Sequence, residues 1–114
     1  MLLEIINQFR IKNNTPAFYG HFPTENYHCL LHCLYMAKQK ELSHAPEEYL
    51  HGKGEAAGGG EFEHDNRNTL SKIFFDNKDG FITSEKHTKI ICMPNIAYDC
   101  YMDNGMMYVT IRGW

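Results

Sequence analysis

The dipeptide Asn104-Gly105 lies between two stretches of alternating side chains, and the β-hairpin this implies constrains everything the rest of the chain can do. Asn-Gly readily adopts the left-handed conformations that a two-residue type I′ turn requires. Centring the turn there pairs Met102 with Met107, Tyr101 with Tyr108, Cys100 with Val109, Asp99 with Thr110 and Tyr98 with Ile111. Because successive side chains point to opposite faces, one face collects Tyr98, Cys100, Met102, Met107, Val109 and Ile111. The other carries Asp99, Tyr101, Met106, Tyr108, Thr110 and Arg112. The first face must be covered by helices, and the second is expected to meet solvent.

The covering helices should come from the N-terminal half. Leu2, Ile5, Ile6 and Phe9 recur at helical spacing, and Asn13, Asn14 and Pro16 stop that helix. A second helix over about residues 25–42, with Thr24 as its expected cap, places Tyr27, Leu30, Leu31, Leu34 and Tyr35 on one stripe, which is expected to face the core. A short helix can begin at Ser43 to Glu48, and a third helical segment at Asn68 or Thr69 carries Leu70, Ile73 and Phe74. Residues 81–83 and 88–93 are β-rich. Between 51 and 60 half the positions are glycine, which predicts a flexible Gly-rich acidic loop over about 51–64. The expectation is one α+β domain over 1–114, with two or three N-terminal helices on one face of a three- to four-stranded antiparallel C-terminal sheet.

Charge is unevenly distributed. Between residues 41 and 65, seven carboxylates stand against Lys53 alone, whereas the flanking segments are slightly basic and the whole chain carries −3. An acidic middle repels phosphate backbones and attracts basic surfaces, so direct nucleic-acid binding is disfavoured and a basic protein partner is favoured. Cys29, Cys33, Cys92 and Cys100 are read as reduced thiols, because Cys29 and Cys33 fall one helical turn apart in a geometry that hinders a disulfide. No signal peptide and no apolar run of about 18 residues is visible, which points to the cytoplasm and away from a membrane.

Several constellations offer chemistry. Asn26-Tyr27-His28-Cys29-Leu30-Leu31-His32-Cys33-Leu34 resembles, over these nine residues, the nucleophile segment of ovarian-tumour-type cysteine proteases, where a Cys near a helix start precedes an apolar pair and then Arg or His. The resemblance implies a thiol nucleophile at Cys29 and a late His beside an aromatic residue, whereas the last His here, His87, precedes Thr88; a thiol enzyme built on Cys29 would use His64 or His21. His28 and His32 are spaced i, i+4 as in a helical metal site, with His51 or His64 as further donors, but lack the Glu that a metalloprotease places after the first His. A calcium loop around Asp79-Gly80-Phe81-Ile82-Thr83 fails in register, putting Phe75 and Lys86 where carboxylates are needed. The glycine cluster lacks the Gly-Lys-Ser/Thr ending of a phosphate loop.

With no complete catalytic set, the expected function is that of a small non-catalytic inhibitor or immunity-type protein without a cofactor, which blocks a toxin or a defence nuclease complex. Its expected contact residues are Glu55, Glu61, Glu63 and Asp65, which engage Lys or Arg of the partner, and Asp99, Tyr101, Tyr108 and Arg112 on the open sheet face. A small cysteine hydrolase and a nuclease-type toxin with histidines as acid and base are the alternatives.

Overall fold

A computed structural model describes all 114 residues. In chain order it contains α1 (Leu2–Lys12), α2 (Pro23–Gln39), the single-turn α3 (Glu47–Leu50), β1 (Gly54–Glu61), α4 (Asn66–Phe75), a 3-10 turn at Phe81–Thr83, α5 (Glu85–Ile91), β2 (Ile96–Asp103) and β3 (Met106–Gly113). The strands form one antiparallel sheet in the order β1-β3-β2, so the class is α+β.

The hairpin forms in the register set by its turn, with Tyr101 opposite Tyr108 and Cys100 opposite Val109. Asn104 and Gly105 both take positive φ, at 49° and 76°. Its apolar face enters a core built with Leu2, Ile5, Ile6 and Phe9 of α1, Leu70, Ile73 and Phe74 of α4, Phe81, and Ile90 and Ile91 of α5. Arg10 locks α1 onto this assembly. Its buried guanidinium donates to the carbonyls of Ile91 and Met93, both at 2.7 Å, and its Nε donates to Pro16 O at 2.9 Å. A cation on the last carbonyls of α5 also complements the helix dipole.

Three expectations fail for local reasons. The glycine-rich stretch is no loop: residues 54–61 pair with β3 along their whole length, Gly54 with Gly113 through Glu61 with Met106. The glycines serve close packing, since a Cβ at Gly58 would lie 2.7 Å from the Phe81 ring and one at Gly60 would lie 3.3 Å from Ile73. Residues 88–93, expected as a strand, fall largely in α5, whose cap Ser84 accepts the His87 N–H at 3.2 Å; residues 81–83 form a 3-10 turn. The cap of α4 lies earlier than Asn68 or Thr69: Asp65 accepts the Asn68 N–H at 2.7 Å.

The largest departure concerns α2. It covers the sheet face that was expected to be open, and it does so with the side opposite the expected stripe. Cys29, His32, Cys33, Met36 and Ala37 are buried, and Cys33, Met36 and Ala37 pack with Tyr108. Tyr27, Leu31, Leu34 and Tyr35 are between 38% and 57% exposed. The Cys33 thiol nestles among Thr110 Oγ1 at 3.3 Å and the carbonyls of Asp99 and Tyr108. Helices therefore cover both faces of the sheet. No helix is long and apolar enough to cross a membrane.

Candidate functional site

The outward-turned side of α2 and the segment that follows it enclose a cleft of about 560 Å³. The helix contributes His28, Leu31, His32 and Tyr35; residues 43–51 contribute Ser43, His44, Ala45, Pro46, Tyr49 and His51; β3 contributes Arg112 at the floor. Four of the seven histidines thus converge on one concavity. The segment that forms its far wall is bracketed by two non-glycine residues in left-handed conformation, Lys40 after α2 and His51 after α3.

Below the cleft lies a buried charge network. Glu55 of β1 and Arg112 of β3 are cross-strand partners, 4% and 3% exposed. Arg112 Nε donates to Glu55 Oε2 at 3.3 Å, and Glu55 Oε1 accepts from the Ala45 N–H at 2.9 Å and from His44 Nδ1 at 3.2 Å. The pair is supported in its buried setting by further hydrogen bonds, from the Ala45 N–H and His44 Nδ1 to Glu55 and from Arg112 Nη1 to Tyr49 O at 3.4 Å. His32 Nε2 lies 2.7 Å from the Ser43 carbonyl, and since a carbonyl only accepts, the proton sits on Nε2. His44 turns Nδ1 toward the Glu55 carboxylate and His28 turns Nδ1 toward Glu25 Oε2 at 3.7 Å. In His44 Nε2 is then the nitrogen left free.

The structure brings together Glu55, Arg112, His28 and His32 from the residues singled out by sequence, but in a different role from that expected. Glu55, Tyr108 and Arg112 are internal, so no partner can reach them as surface contacts. Glu61, Glu63 and Asp65 are exposed around the start of α4, where Glu63 takes Lys72 Nζ at 3.3 Å and Asp65 caps the helix. Asp99 and His21 line a second groove of about 500 Å³ on the other flank of α2, and Tyr101 is exposed on β2. His28 and His32 do not assemble with further donors, as no three His, Cys, Asp or Glu side chains are placed to hold a metal ion.

Cys29 is not poised as a nucleophile. It is fully buried, and burial pushes its thiol far above its ordinary value, so it stays protonated. The groups that act on it are Arg112, Cys33, Glu55 and Asp99, with neither His21 nor His64 among them. Cys33 is pushed up to about 12 by the same burial. All four cysteines are free thiols. Residues the sequence reading missed are His44 and Tyr49, whose proximity to α2 depends on the turn at Lys40, and which carry no periodic signal. Compared with known proteins, the chain matches no family model and no curated protein.

Proposed function

We propose that this chain is a non-catalytic protein-binding domain of the inhibitor or immunity type, which docks on a basic partner through the outer face of α2 and the acidic segment beyond it. One observation carries the reading: α2 turns Tyr27, Leu31, Leu34 and Tyr35 to solvent while burying its opposite face of Cys29, His32, Cys33, Met36 and Ala37. A contiguous line of large apolar side chains along one helix departs from the scattered exposure normal for a monomer's surface, and tyrosine is prominent among interface anchors.

Charge supports a cationic partner. Glu41, Glu47, Glu48 and Glu61 are exposed and make no internal ion pair, whereas Glu55 is neutralised by Arg112. Glu47 and Glu48 share α3 with Tyr49, on the far wall of the cleft from α2, so carboxylates edge the apolar surface. Such edge charges speed association with a basic protein, and the buried aromatic area holds the complex.

The test is parallel capture from the native host lysate by the immobilised wild-type chain, by a Tyr27→Ala/Leu34→Asp variant and by a Glu47→Lys/Glu48→Lys variant. A basic protein retained by the wild type and lost from both variants supports the reading. Retention of the same proteins by all three refutes it.

A further inference from the structure

We propose that the histidine-lined cleft is a binding site for a small planar anion, an aromatic ring system carrying a phosphate or carboxylate group. Its volume of about 560 Å³ lies in the range of roughly 300–1,000 Å³ typical of small-molecule sites. Its walls are aromatic. Tyr35 is stacked against His32, with ring centroids 6.0 Å apart and planes at 16°, and Tyr49 stands on the opposite wall, so a flat ring can insert between them.

The polar groups favour an anion. Arg112 spends Nε on Glu55 and Nη1 on Tyr49 O, while Nη2 makes no hydrogen bond within the protein. Ser43 Oγ, in the cleft wall, is buried with no partner. Glu55 beneath the cleft is saturated by Arg112, Ala45 and His44, and Glu25, whose buried Oε2 stands behind His28, does not line the cleft. His44 gives Nδ1 to the Glu55 carboxylate at 3.2 Å, which leaves its Nε2 free of any partner within the protein. A guanidinium donor and a hydroxyl beside imidazole rings and two tyrosines match a ring with an acidic group attached.

The cleft shares Leu31 and Tyr35 with the docking face, but Tyr27 and Leu34 do not line it, so variants at those two positions distinguish the two readings. Calorimetric titration of the full chain with AMP and with indole-3-acetate distinguishes the phosphate from the carboxylate source, with adenosine and inorganic phosphate as half-ligands. The expected result is a Kd at or below about 1 mM for one of the two anions, each half-ligand binding at least tenfold more weakly. A Tyr35→Ala/Tyr49→Ala variant, which removes two exposed rings, should melt as the wild type and bind at least tenfold more weakly. Histidine ring NMR signals place the ligand: those of His28, His44 and His51 should move, and those of His21 and His64 should not. No binding of either anion up to about 5 mM, undiminished binding by the variant, or shifts confined to the distant histidines would overturn the proposal.

Discussion

Replacing Glu55 by Ala tests the central electrostatic feature of the fold. The substitution deletes the acceptor of three hydrogen bonds, from the Ala45 N–H, His44 Nδ1 and Arg112 Nε, and leaves the guanidinium 3% exposed without its counter-charge. Removing one partner of a buried pair costs about 3–5 kcal/mol, because the survivor remains desolvated and uncompensated. A chain of 114 residues has an unfolding entropy near 0.24 kcal/mol per kelvin, at about 2.1 cal/mol/K per residue, so the midpoint should fall by roughly 12–20 °C. Urea unfolding followed by far-UV circular dichroism and by the fluorescence of Trp114, the only tryptophan, measures the cost directly. Arg112→Met alone should be comparably damaging, while the Glu55→Leu/Arg112→Met double variant should return to within about 1 kcal/mol of the wild type. A cost below about 1 kcal/mol for Glu55→Ala would mean that the carboxylate is solvated, and the network described for the cleft floor would be wrong.

Other consequences are as specific. Gly58→Val drives a side chain into the Phe81 ring, which a Cβ alone would approach to 2.7 Å, and should destabilise by roughly 2–3 kcal/mol in the same urea assay. Lys40→Gly relieves a left-handed φ of 54° at the C-cap of α2 and should stabilise by roughly 0.5–1 kcal/mol; a loss would show that the strain is not local. Brief iodoacetamide treatment at neutral pH should spare Cys29 and Cys33, and preferential alkylation of Cys29 read by mass spectrometry would restore the thiol-enzyme reading. Because burial raises both thiols in the folded state, their contribution is intact below the ordinary value of 9.0 and is lost as pH rises toward about 12 for Cys33. Between about pH 9 and pH 10 stability should drop by roughly 1 kcal/mol per thiol, and the Cys29→Ala/Cys33→Ala variant should show a shallower slope over that interval.

The hairpin was legible because its determinants are local. A turn residue pair fixes register, and register fixes faces. The α1 stripe was legible for a similar reason, since Leu2, Ile5, Ile6 and Phe9 have one apolar side and one destination. The strand at 54–61 was hidden because its evidence is nonlocal: five glycines in ten residues look like a linker until Phe81 and Ile73, up to 23 positions away in sequence, are seen to occupy the space where side chains would be. The same holds for Glu55 and Arg112. Charged residues alternating on a strand read as a solvent face, and only the pairing of two strands 57 positions apart makes them each other's counter-ion.

The second helix shows why hydrophobicity alone misplaces a site. Two stripes at helical spacing run along it, one of Tyr27, Leu31, Leu34 and Tyr35 and one of Cys29, His32, Cys33, Met36 and Ala37. A hydropathy argument sends the bulkier stripe inward. The sheet beneath, however, presents Ala57, Tyr108, Thr110 and the buried ion pair, and the α2 face of Cys29, His32, Cys33, Met36 and Ala37 meets it closely, with Cys33 against Thr110 and Met36 and Ala37 packed with Tyr108, contacts that supply the dispersion energy of the layer. The large residues are thereby left outside. Their exposure costs the monomer nothing in packing, because the sheet contact is complete without them, and it leaves Leu31 and Tyr35 free to form the near wall of the cleft. Substituting Tyr27 or Leu34 should therefore leave the unfolding free energy within about 0.5 kcal/mol of the wild type while altering what the surface binds, a separation of stability from recognition that a core stripe could not show.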